Sequence, residues 1–225
     1  QPGFIAAYVN DTNKAEPWKV SLGFFGAGEL GASYQKSFDS PLAMLQAEKR
    51  LRLFGGLPGN YRAYAWHRSD VPEWDGTRSA THTGVGFSVD QRVGDGITLF
   101  GRYGKLTKGQ LPFDQALSAG AEINGSYWGR GSDTIGVGGS WLRASHEYRQ
   151  PGFASGCLGR DSDDNCTGAF NYNASGAEKV AEIYYRYRIS PQFDLTPDFQ
   201  WIGRPGANPG ADSVKVISLR ANVAF

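Results

Sequence analysis

The sequence predicts an all-β protein, an antiparallel transmembrane β-barrel, and three observations predict it. Segments of about ten residues alternate between apolar and polar side chains, the period-two mark of a strand with two unlike faces. The connections between them alternate in length, as barrels with tight turns on one rim and loops on the other require. The polar face carries charge in nearly every strand, while the apolar face places aromatic residues near strand ends: Trp18, Tyr61, Tyr103, Tyr127, Tyr187 and Phe225.

Taken in order, residues 4–9 form a first strand whose facing the pattern leaves open. Strands follow at 18–25, 42–54 and 60–68, the last two joined by a short turn at 55–58. Those at 83–93 and 97–106 meet at 94–95, and those at 117–128 and 134–141 meet at 129–132. The next strand alternates Ala181, Ile183, Tyr185, Tyr187 and Ile189 with Glu182, Tyr184, Arg186 and Arg188. Ser190, Pro191 and Gln192 link it, by a connection short enough for a hairpin, to a strand with Phe193, Leu195, Phe199 and Trp201 on one face. The last strand, 217–225, sets Ile217, Leu219, Ala221, Val223 and Phe225 against Ser218, Arg220, Asn222 and Ala224. Longer connections at 69–80, 107–115, 151–175 and 205–211 are rich in Gly, Pro, Asp and Asn.

Composition agrees. The 225 residues include 31 Gly, 13 Phe, 11 Tyr and 6 Trp, with a net charge of +1. That near-neutrality excludes a general nucleic-acid binder, which needs a basic excess to neutralise phosphates. The many large apolar side chains exclude a disordered chain. No apolar run approaches the ~20 residues of a membrane-spanning helix. A soluble β-sandwich also alternates, but a second sheet packed on this polar face would bury unpaired charge.

Eleven strands is an odd number, whereas bacterial outer-membrane barrels usually have an even one with both termini in the periplasm. Upstream strands are therefore expected to be missing from this chain; the alternative adds a twelfth strand at 29–36 and closes a small barrel. No signal peptide precedes Gln1, so a processed form is expected.

Several stretches resemble the OprB family of carbohydrate-selective porins: YYRYRISPQFDLTPDFQWI at 184–202, Asn208-Pro209, LRANVAF at 219–225, LPGNYRAYAW at 57–66 and LFGRYG at 99–104. The resemblance runs from about residue 42 to the end and is most specific in the last forty residues or so. It implies a sixteen-stranded outer-membrane barrel through which glucose and related sugars diffuse passively, with these eleven strands as its C-terminal part. It implies no cofactor, and as partners sugars in transit, outer-membrane lipid and lipopolysaccharide. Nucleic acid is not among them, and homo-oligomerisation is left open.

Read inward, the polar face supplies candidate pore-lining residues: Arg50, Arg52, Arg62, Tyr64, Trp66, Glu122, Glu182, Arg186, Asp198 and Arg220, with Asn124 and Trp128 on the same side. Guanidinium and carboxylate groups serve sugar hydroxyls, and aromatic rings cover the C–H face. A lumen of mixed charge also suits neutral solutes, since a ring of one sign would select ions. The plainer reading is cross-strand ladders that stiffen the wall. Arg62, Tyr64 and Trp66, an aromatic pair beside a guanidinium, are the leading candidates for sugar contact, and the 26–40 connection is expected to fold into the pore as a constriction.

Other motifs are weaker. Gly26-Ala-Gly-Glu-Leu-Gly31 matches a dinucleotide fingerprint but lacks the helix that must follow. Cys157 and Cys166, the only two cysteines, lie in the longest loop and are read as a disulfide. Asp161, Asp163 and Asn165 between them have calcium-like spacing without the rest of such a site. His67, His82 and His146 fall on separate predicted strands. A barrel hydrolase pairing His82 with Ser88 or Asp90, and a receptor acting through the outer loops, are the rival functions.

Overall fold

The computed structural model describes residues 2–11, 13–26, 38, 40–72, 79–150 and 173–224. They form one sheet of eleven strands in chain order, each antiparallel to the next. The strands are β1 (Gly3–Val9), β2 (Trp18–Phe25), β3 (Leu42–Leu53), β4 (Leu57–Pro72), β5 (Ser79–Gly94) and β6 (Ile97–Lys108). They continue as β7 (Phe113–Asn124), β8 (Thr134–Ala144), β9 (Ala177–Ser190), β10 (Phe193–Gly203) and β11 (Val214–Val223). The expected all-β architecture and strand number are both found.

Turn chemistry explains the short connections. Phe54, Gly55 and Gly56 join β3 to β4 with φ of 49°, 76° and 91°. Three successive left-handed residues suit glycine and leave one strained phenylalanine. Asp95 and Gly96 close the β5–β6 hairpin, with Gly96 at φ 67°.

Several boundaries differ from expectation. β4 and β5 each run to 16 residues, well past the predicted strands toward the long-loop rim, because their backbone ladder continues through Val71↔Ala80 and Pro72↔Ser79. The expected long connection at 107–115 shrinks to Gly109–Pro112, since β6 and β7 extend into it. The predicted strand 117–128 begins earlier and ends at Asn124, whose side chain accepts from the Ser126 amide and turns the chain into a short 3-10 turn, Gly125–Trp128. Tyr127 and Trp128 therefore belong to a rim and not to the wall. Tyr103 pairs with Phe87 and Leu117 in the middle of β6, so it is no rim residue.

Burial is inverted relative to a soluble protein. The few buried apolar residues are Ala144, Tyr148, Ala174, Ala177 and Ala207, while Ile5, Leu22, Leu45, Phe87, Ile183, Ile217 and Leu219 are half to four-fifths exposed. No second layer covers this apolar face among the described residues, which excludes a sandwich. A small hydrophobic knot of Ala144, Tyr148, Ala174 and Ala207, with Phe113 against it, sits on the long-loop rim. Ser145 N donates to Pro112 O at 2.9 Å, and Ser175 N to Ala207 O at 2.8 Å.

The expected disulfide Cys157–Cys166, the Asp161–Asp163–Asn165 spacing, the twelfth strand at 29–36, residues 27–31 of the glycine motif and nearly all of the 26–40 connection lie outside the described residues, as does Phe225.

Candidate functional site

Pairing register aligns the even-numbered residues of β3 to β10 into one polar face. Its first half is a charge ladder. Lys19 lies 4.0 Å from Glu48, whose carboxylate accepts from Arg62 Nε at 2.8 Å. Arg62 Nη1 reaches Asp90, and Arg102 closes on the same carboxylate at 3.7 Å. Five strands, β2 to β6, are thereby stitched by alternating signs, with Arg62 only a quarter exposed. Arg62, expected from the sequence as a leading candidate for sugar contact, is held here between the Glu48 and Asp90 carboxylates. Arg50 and Arg220 hold no side-chain partner among the described residues. Arg52 donates to Gly56 O at 3.3 Å beside the short turn, so it fastens the rim.

The second half is looser. Tyr184 donates to Glu122 Oε2 at 2.9 Å, and Arg186 donates to Thr134 Oγ1 at 2.7 Å with Glu122 4.0 Å away. Asp198, nearly buried, accepts from Ser218, yet its Oδ1 is without a partner, as is Arg186 Nε. Glu182 makes no side-chain hydrogen bond or ion pair among the described residues.

Aromatic residues on this face share one arrangement. Trp66 pairs across strands with Gly84, Tyr64 with Gly86, Phe100 with Gly120 and Tyr184 with Gly136. A Cβ placed on any of these glycines would come within 2.1–2.6 Å of the ring opposite. Each ring therefore lies over its glycine, one face against the backbone and the other turned away from the sheet. Flat exposed faces beside carboxylates and guanidinium groups are what a sugar's two unlike surfaces require. Phe100 was missed in the sequence because its neighbours Leu99 and Gly101 blur the alternation; counting from Arg102 places it on the polar face.

The short-turn rim carries a separate cluster. Asp133, fully buried, accepts from Arg130 on two oxygens, from the Tyr185 hydroxyl and from Arg188 N at 3.0 Å. The Arg130 guanidinium holds the Asp133 carboxyl well below the usual carboxylate range, and it also stacks 4.3 Å above Tyr187. Trp128 Nε1 donates to Tyr185 at 3.2 Å, and the Tyr127 hydroxyl donates to Asp95 O at 2.6 Å. The pattern is a latch between a turn and β9.

The pairing of His82 with Ser88 or Asp90 lacks its geometry. His82, Ser88 and Asp90 lie along one strand, β5, and six residues of strand put His82 roughly 20 Å from Ser88. No group of His, Cys, Asp and Glu among the described residues could hold a metal.

The family model for the carbohydrate-selective porin, OprB family, matches residues 3–225. A high-pH structure of Pseudomonas putida OprB superimposes with a TM-score of 0.73 at 18% identity, over 99% of this chain. This chain spans 58% of the length of that one. Among curated proteins, none matches the sequence.

Proposed function

The chain belongs to the OprB family of carbohydrate-selective porins, and from that premise we propose that its strands form wall of an outer-membrane channel through which saccharides diffuse passively. One observation carries the reading: a single sheet exposes a mainly apolar face on one side and, on the other, charged side chains interleaved with flat aromatic rings. Lipid contacts the first face. Water and solute contact the second.

The short-turn rim faces the periplasm and the long-loop rim the exterior, where lipopolysaccharide is the neighbouring lipid. Within the wall, Glu48, Arg62, Asp90 and Arg102 keep the surface wet and rigid. Trp66 and Tyr64, whose exposed faces carry no charge, offer stacking without strong retention. Conduction needs sites that a solute enters and leaves readily, so contacts are weak and several. No cofactor and no reacting group is required.

Liposome swelling with the full-length protein tests this. Glucose should enter faster than a salt of comparable size; equal entry of the two rejects saccharide preference. In planar bilayers, Trp66→Ala should raise the sugar concentration that half-blocks ion current about three- to tenfold, the loss of one stacking contact. An unchanged block removes Trp66 from the path.

A further inference from the structure

The β7–β9 stretch of the polar face is hollowed. Ser118 and Gly120 on β7 and Gly136, Gly138 and Ser140 on β8 put almost no side-chain bulk above the backbone. Phe100 closes over Gly120 and approaches Gly138, and Tyr184 lies over Gly136. Between the two rings is a recess of about 190 Å³, bounded by Glu122, Glu182 and Val180.

Glycine in a strand interior costs stability, and a ring laid across it restores some. That accounts for the rings. It does not account for the polar groups around them. Ser118 Oγ and Ser140 Oγ sit 2.8 Å apart, one lending a proton to the other. Glu122 is fixed by Tyr184 at 2.9 Å. Glu182, half-buried between the rings' side of the recess and the next strand, has a carboxylate with no hydrogen bond or ion pair among the described residues.

We propose that this recess is a discrete binding site for one pyranose ring of a neutral saccharide in transit, separate from the Tyr64–Trp66 surface several strands away. The inference rests on the channel reading above and narrows it to a place. The sugar's C–H face lies on the exposed face of Phe100 or Tyr184. Glu182 accepts from one hydroxyl, and the serine pair, able to donate and accept, meets another. Two carboxylates at the rim disfavour anionic solutes, and Arg186, 4.0 Å from Glu122, offsets part of their charge so that a simple cation site is not formed.

Sugar titration of single-channel current through the full-length protein, with glucose as the probe, tests the site. Glu182→Gln should raise the half-blocking concentration about three- to tenfold, the loss of one charge-assisted hydrogen bond in a wet channel. Phe100→Ala should do the same, and so should Ser140→Leu, which fills the recess without altering charge. Unchanged block in Glu182→Gln and Ser140→Leu channels of normal conductance overturns the proposal. So does a Glu182→Gln effect confined to potassium current, which would assign the carboxylate to cations. Should Phe100→Ala fail to insert, Glu182→Gln, isosteric and without a partner to lose, decides alone. A wild-type channel that neither passes nor is blocked by glucose refutes the channel reading itself. Block abolished by Trp66→Ala but indifferent to the recess variants refutes only the recess.

Discussion

Gly136 and Gly104 occupy polar-face positions on β8 and β6, and only their surroundings distinguish them. A Cβ on Gly136 would meet Tyr184 at 2.1 Å, whereas one on Gly104 meets nothing within 4 Å. Gly136→Ala must therefore push the Tyr184 ring off the sheet and away from Glu122. It should cost about 1–3 kcal/mol in unfolding experiments, the usual penalty of overpacking. Gly104→Ala should be neutral or slightly stabilising, and equal effects of the two would show that the rings are free to move. At this scale the sequence was only half legible. Alternation put Tyr64, Trp66, Glu122, Glu182, Arg186, Asp198 and Arg220 on one face. It could not say that Arg62 is spent between Glu48 and Asp90, or that Arg52 points to a turn carbonyl, because both depend on the register between strands. The signal that could have been read is the recurrence of glycine on the polar side of β5 and β8, where a side chain is missing because a neighbour's ring occupies its place.

Elements obey their own logic. The predicted strand 117–128 overran because Tyr127 and Trp128 prolong an aromatic alternation, while Asn124 and the glycines on either side of the turn carry the stop signal. The turn they begin is held by Asp133. Since the folded carboxyl is held below its ordinary range, its contribution is fully present above the unfolded pKa of roughly 4 and is lost as pH falls through the lower folded value. Asp133→Asn should lower the thermal unfolding midpoint in detergent at pH 7. The gap from wild type should stay constant down to about pH 4 and then close. A gap that widens in acid would mean that the latch does not depend on the ionised carboxylate. The β9–β10 ladder is interrupted at Thr196 and Pro197, where proline has no amide proton to give. The strand survives because β11 pairs through the same residues on the other side.

For the whole molecule, the decisive property is which face meets which medium. Ile183 is half exposed in the middle of β9, on the apolar side. Ile183→Arg should destabilise the protein in bilayers by about 2–4 kcal/mol, as a cation near the midplane does, while Gln200→Arg on the opposite face should change stability little. Similar penalties at both positions would contradict the two-medium arrangement. Most of the strands were legible from period-two alternation, because a sheet with lipid on one side and water on the other favours that pattern; β1, with no alternation in its sequence, was legible only as an apolar run. Strand lengths at the long-loop rim were not. There the backbone ladder outlasts the apolar stripe, and β4 and β5 climb beyond the hydrophobic zone with no compositional mark. The hydrophobic knot at that rim has a consequence for the order of assembly. Its residues come from the start of β7, the end of β8, the approach to β9 and the exit of β10. Each hairpin can zip from its own tight turn, but Tyr148 finds Ala174 and Ala207 only when all four strands stand side by side, and closing so long a segment is entropically the slowest step. The shielding of Tyr148 from solvent is thus expected late in assembly, once β7 to β10 stand side by side.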